Sequence, residues 1–262
     1  MEHVLNISWL QLACFSGVLL LPLFINYFYK LSLAKEVLVS VTRMTIQLFL
    51  VGLYLHYLFT LNSLIVNILW LLMMILIGCS AIINKAHLPL RALFIPIFCG
   101  LSIGLFPIIT LLCVFVVQPE PIYSAQYVVP LAGMLLGNSL TSNIVALQNI
   151  FGAFEQRKME YEGGLALGGT PYQAASPFLA EALKKALAPN LASMTTVGLV
   201  SLPGMMTGQI LGGVTPMLAI KYQLVILIAI FAMSSVSLTI TLNLSLKRAL
   251  SKSGRIKIKF VK

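Results

Sequence analysis

Few side chains outside the apolar bulk of this sequence can do chemistry, and their types narrow what that chemistry is. Seven carboxylates are present (Glu2, Glu36, Glu120, Glu155, Glu160, Glu162 and Glu181), and there is no Asp. An aspartyl-phosphate step or a Walker B aspartate within this chain is therefore excluded. No carboxylate falls inside a predicted span, which argues against a carrier driven by protons or ions, since such carriers bury ionisable groups. His56 and His87 stand apart, with no second His at ligand spacing. Cys14, Cys79, Cys99 and Cys113 lie in apolar runs without CxxC spacing, as small buried hydrophobes do. The soft donors are the thioethers of Met134, Met205 and Met206. They suit Cu(I) better than Fe(II), which prefers imidazole and carboxylate, and methionines in an apolar span more often serve packing.

A second set of residues has the spacing of a mechanical device. In Tyr161-Glu162-Gly163-Gly164-Leu165-Ala166-Leu167-Gly168-Gly169-Thr170-Pro171, Gly168 and Gly169 permit a positive φ. Thr170 is then a helix N-cap, with Pro171 at the first helical position. The pattern predicts helix, sharp turn, helix at the membrane face. From Pro171 to Ala188 the sequence is amphipathic, with Glu181 placed to pair with Lys184 or Lys185. Such a helix either docks on another protein and carries force or lies along the lipid interface.

These groups are positioned by long apolar elements. Of 262 residues 59% are hydrophobic and 9% charged, too few polar side chains to cover a soluble fold. Seven stretches are apolar enough to span a bilayer core: Trp9–Tyr29, Val39–Phe59, Leu64–Ile83, Leu93–Val117, Tyr127–Phe151, Asn190–Leu211 and Tyr222–Leu246. The first reads as a retained span and not a cleaved signal. The sixth is diluted by Gly, Ser, Thr and Pro, so a six-span arrangement with that segment re-entrant is the alternative. With the N-terminus outside, sixteen of the seventeen Lys and Arg face the cytoplasm and only Lys221 lies outside. The net charge of +10 therefore reflects topology. The basic residues flank apolar runs without aromatic interleaving, which disfavours nucleic acid as a partner, and the basic tail is expected on anionic lipid. Arg43 reaches the headgroups by snorkelling, and Gln47 needs an interhelical hydrogen bond.

The fifth stretch carries Gly133-x-x-x-Gly137 followed by Asn138, Ser139, Thr141, Ser142 and Asn143. The sixth carries Gly198, Pro203-Gly204, Gly208 and Gly212. Glycines four apart fit close helix packing or a dimer seam. Pro203-Gly204 breaks a helix at membrane depth, which is tolerated only against protein or a water-filled cavity. Met134, Asn138, Ser139, Pro203, Gly204, Met205 and Met206 are accordingly the candidate lining of a substrate pathway.

Glu162 and Gly168 have the spacing of the coupling loop of ABC importer permeases, with Gly163 and Gly164 where those proteins carry alanines. Glu181 stands where their later proline would be. Ala166-Leu167-Gly168-Gly169-Thr170-Pro171, Pro130-Leu131-Ala132-Gly133-Met134-Leu135-Leu136-Gly137-Asn138 and Thr196 through Gly208 resemble the signature of the FetB-type iron-export ABC transporter permease family. So does Ala219-Ile220-Lys221-Tyr222-Gln223. The resemblance extends from about Lys35 to Lys247.

It implies a permease subunit, not itself an enzyme, working with a separate cytoplasmic ABC ATPase that binds ATP and Mg. Glu162, Gly168, Gly169, Thr170 and Pro171 would form the coupling turn, and two permease chains would pair. The sequence agrees independently: it has no GxxxxGK[ST] and no soluble stretch long enough for a nucleotide-binding domain. The expectation is an all-α polytopic bundle of about seven spans in the bacterial inner membrane. Residues 1–262 form a single permease domain with a cytoplasmic coupling segment at 152–189 and a basic tail at 247–262. Its function would be ATP-driven export of iron or another metal. The wider family's ties to nucleotide sugars and aluminium tolerance leave an organic cargo as the alternative. A secondary carrier and a non-transporting scaffold are the other classes, disfavoured by the missing buried carboxylates and by the Pro-Gly break.

Overall fold

The structure, a computed structural model, describes residues 7–251 and 254–258. The described chain is helical apart from turns and two isolated β-bridges. Six helices are long and apolar enough to cross a membrane: α1 (Trp9–Phe28), α2 (Ala34–Leu61), α3 (Leu64–Ala86), α4 (Leu90–Val117), α5 (Ala125–Gln156) and α9 (Pro216–Ala249). Between α5 and α9 lie α6 (Lys158–Ala166), α7 (Pro171–Thr196) and α8 (Gly204–Leu211).

The predicted sixth span, Asn190–Leu211, is not one helix. It is the end of α7, an irregular stretch at 197–203, and α8. Val197 leaves helical geometry (ψ 134), Gly198 has φ +88, and Pro203 caps α8 without donating an N–H. The chain nevertheless returns across the bundle here. Gly100 faces Ser237 and Thr241 while Gly104 faces Met233, so α4 and α9 are antiparallel. Asn67 bonds to Tyr123 and Gln148 to Lys85, so α3 and α5 run together, opposite to the α4 between them. α9 therefore descends alongside α5. Arg157 meets Glu181 and Ser142 meets Asn190, so α7 climbs against α5. At 1.5 Å per residue α7 ends about 9 Å past Ser142, whereas α5 continues about 26 Å past it. The break therefore lies alongside the middle of α5, and α8 follows it.

The core is the seam of α3, α4, α5, α7 and α9, with Ile75, Ile82, Leu93, Ile97, Leu101, Leu105, Leu147 and Leu242 shut away from solvent. Its tightest contact is at Gly100, where a Cβ would stand 2.1 Å from Thr241 Oγ1 and 2.8 Å from the Ser237 carbonyl. The glycines that the sequence singled out behave differently. A Cβ at Gly137, Gly204 or Gly208 would meet nothing within 4 Å, and at Gly133 only the tip of Met74. They make no close approach inside this chain.

The first two helices stand apart from this core. Neither contributes a buried residue to its apolar span window. They pair with each other through Trp9 and Phe49. They hold to the bundle at one end, where Tyr54 stacks on Trp70, Leu58 is buried with Ala125 and Val129, and Asn62 accepts from the Ala125 N–H. Apolar surface left open in this way is what lipid or a second membrane protein covers.

Candidate functional site

The turn between α6 and α7 forms as its residues dictate. Gly168 takes φ +86, which a side chain would strain, whereas Gly169 stays out of that region. The Gly169 N–H bonds back to the Gly164 carbonyl. Thr170 caps α7 by accepting from the Gln173 N–H, while Gln173 Oε1 accepts from the Thr170 N–H at 2.9 Å, a reciprocal capping box. Glu162 is exposed and pairs with Lys158 at 3.3 Å. Leu167, at the tip of the turn, is 91% exposed.

Glu181 finds two partners where the sequence offered one. It accepts from Lys185 at 2.8 Å on its own helix and from Arg157 at the end of α5. The Lys185 ammonium, then the Arg157 guanidinium, hold its carboxyl below the ordinary carboxylate range. Arg157 also lies 4.6 Å over the ring of Phe178, so one guanidinium ties the α5–α6 junction to α7 by charge and by its face.

Further along α7 is a cavity of about 200 Å³. Asn138, Thr141 and Ser142 of α5, Asn190, Ser193 and Met194 of α7, and Leu227, Ile230 and Phe231 of α9 surround it. Asn190 Nδ2 donates to Ser142 Oγ at 3.4 Å across it. Pro189, which also lines the cavity, denies the Lys185 carbonyl its usual helical donor. The polar lining is neutral: amides, hydroxyls and one thioether. Among the described residues no three of His, Cys, Asp and Glu come together as a metal-ligand group. A cation in this cavity would meet amide and hydroxyl oxygens and the Met194 thioether.

Of the pathway residues expected from sequence, Asn138 lines this cavity. Ser139 does not; it is fully buried, and its oxygens accept from Asn143 Nδ2, which also bonds Ser237. Met134 packs partly buried on the core, and its carbonyl accepts from Asn138 Nδ2. Pro203 and Gly204 open α8, with Met205 half-buried and Met206 buried in its first turn. They lie across the break from the cavity, and none of them lines it. Asn190, Ser193 and Met194 were missed. Their signal was Pro189-Asn190, a proline and an amide together in an apolar helix.

The family described as Uncharacterised protein family (UPF0014) matches this chain over residues 9–250. The chain is 34% identical to "UPF0014 membrane protein slr1647" of Synechocystis sp., over 90% of this chain and 92% of that protein. It is 36% identical to "Protein ALUMINUM SENSITIVE 3" of Arabidopsis thaliana, over 84% and 79% respectively. It is 33% identical to "Probable iron export permease protein FetB" of Escherichia coli, over 93% and 92%. No solved structure matches.

Proposed function

Since this chain belongs to the UPF0014 family of multi-pass membrane proteins, we propose that it is the permease subunit of an ATP-driven ABC transporter, moving iron or another metal out of the cytoplasm. The observation that carries the reading is the reach of α7. One helix begins in the capped turn at Thr170 and Pro171 and supplies Asn190, Ser193 and Met194 to the cavity. A push at the turn therefore arrives at the cavity about 28 Å away along one helix, whose hydrogen bonding is interrupted at Pro177 and Pro189. A separate cytoplasmic ATPase would bind ATP and Mg and seat on Glu162, Leu167, Gly168, Gly169, Thr170 and Pro171.

Two copies of the chain complete the pathway. The stretch at 197–203 sits at membrane depth with Leu199 91% and Val200 82% exposed. Irregular backbone at that depth needs protein or water against it. A second chain seated there would also cover the open Gly133 and Gly137 face of α5. The cycle is alternating access: closure of the ATPase turns α7, and the break at 197–203 lets α8 move separately from it.

The hydroxyls and amides of the lining also suit a second reading, an organic cargo whose polar groups would pair with Asn138, Thr141 and Asn190; for a nucleotide sugar, the diphosphate would need cations that this lining does not hold. Gly168→Val tests the shared part of both readings. At φ +86 a β-branched side chain costs about 1–3 kcal/mol locally, while nothing lies within 4 Å to obstruct it. The variant is expected to insert normally and to lose cargo-stimulated ATP hydrolysis in the complex. Retained stimulation would remove the turn from the mechanism.

A further inference from the structure

Helix α6 should not be able to stand alone. It has nine residues, two of them Gly163 and Gly164, well short of the length at which an isolated helix holds in water. Yet the turn at Gly168 hangs from it. On one side α6 is held by the cluster of Phe154, Tyr161 and Phe178 and by Arg157 to Glu181. On the other side it is held by the end of the chain. After Ala249 the backbone doubles back: Leu250 bridges Ile256, the Ser251 N–H donates to the Arg255 carbonyl, and the Lys257 N–H donates to the Ala249 carbonyl at 2.7 Å. Gly254 makes the bend with φ +78.

This hook packs on the chain itself. Tyr161, 1% exposed, donates its hydroxyl to the Gly254 carbonyl at 3.0 Å. Burial pushes that phenol above its ordinary range, so it remains a donor at physiological pH. Ile258 is buried in the main core and Ile256 packs against it. Gly254 presses so closely on α6 that a Cβ there would stand 2.6 Å from Leu165 Cδ1. The basic side chains of Arg255 and Lys257 point away into solvent.

We propose that residues 250–251 and 254–258 are a positioning clamp, anchored on the core by Ile256 and Ile258 and closing on α6 where Gly254 meets Tyr161 and Leu165, that fixes where the turn at Gly168 is presented to the ATPase. The inference rests on the reading of that turn as the coupling contact. It gives the end of the chain a mechanical task that its positive charge does not describe. The clamp would act through packing and one hydrogen bond, so neutralising the charge should leave it intact and removing the isoleucines should open it.

The test uses the full chain with its ATPase in inside-out vesicles. A nitroxide is placed at Leu167→Cys with a membrane-impermeant reagent; the native cysteines lie in the spans. Label mobility in the Leu167→Cys chain, and cargo-stimulated ATPase activity in unlabelled chains that keep Leu167, are read in Ile256→Ser/Ile258→Ser, Tyr161→Phe and Lys257→Gln. The proposal expects faster label motion and lost stimulation in the isoleucine pair, a smaller change of the same kind in Tyr161→Phe, and neither change in Lys257→Gln. An immobile label in the isoleucine pair overturns it, as does a matching effect in Lys257→Gln. A mobile label with full stimulation also overturns it, provided Gly168→Val uncouples in the same vesicles. If Gly168→Val stays coupled as well, the coupling reading of the turn fails and the clamp on α6 stands.

Discussion

Arg157 shows how much one side chain can carry at a membrane face. It interrupts the helix between Gln156 and Lys158, accepts the ring of Phe178 on its face, and gives its N–H groups to Glu181. Because the bonded state of Glu181 is the charged one, its folded pKa lies below the unfolded value near 4.5. The stabilisation is complete above pH 4.5 and is lost as pH falls through the depressed folded value. The melting temperature of the purified protein in detergent should thus differ between wild type and Glu181→Gln by a constant amount from pH 7 to about pH 5. The gap should close at lower pH. A gap that persists unchanged into acid would mean that the carboxylate's charge contributes nothing. Glu181 was legible in the sequence as the partner of Lys184 or Lys185 because that spacing is local. Arg157 was not, because a contact between residues 24 apart exists only once α7 folds back along α5.

At the level of elements, the turn and its cap were readable because glycine, threonine and proline act on their own backbone. Six spans were readable because length and apolarity suffice. The segment 190–211 was only half visible: Pro203 and Gly204 marked a break, but not that α7 would extend from the capped turn to the cavity as one helix. The glycine spacings drew attention to Gly133, Gly137 and those of the sixth stretch, but the close approach inside this chain is elsewhere. Spacing alone cannot say which face of a helix meets a neighbour, and it is Gly100 and Gly104 of α4 that do. Gly100→Ala should therefore destabilise the α4–α9 seam by about 1–3 kcal/mol, measurable as a lowered melting temperature in detergent. Gly137→Ala should not. If both were tolerated alike, the close packing of α4 on α9 would be wrong.

For the whole molecule, the arrangement divides by task. The seam of α3, α4, α5 and α9 is rigid and closely packed, and α7 lies against it linking turn to cavity. The pair α1 and α2 is attached at one end and left to lipid or a neighbour. The break at 197–203 and the open glycine face of α5 are the exposed surfaces on which the proposed pairing of two copies rests. A capped turn outside the long apolar helices, joined through α7 to a polar cavity, is what we propose another subunit drives. The direct test is Fe(II) accumulation by inside-out vesicles that contain this chain and its ATPase, compared with vesicles carrying an ATPase unable to hydrolyse ATP. Export from the cytoplasm predicts accumulation that requires ATP and the active enzyme. Equal Fe(II) levels in the two preparations, with both subunits shown to be assembled, would contradict ATP-driven iron export.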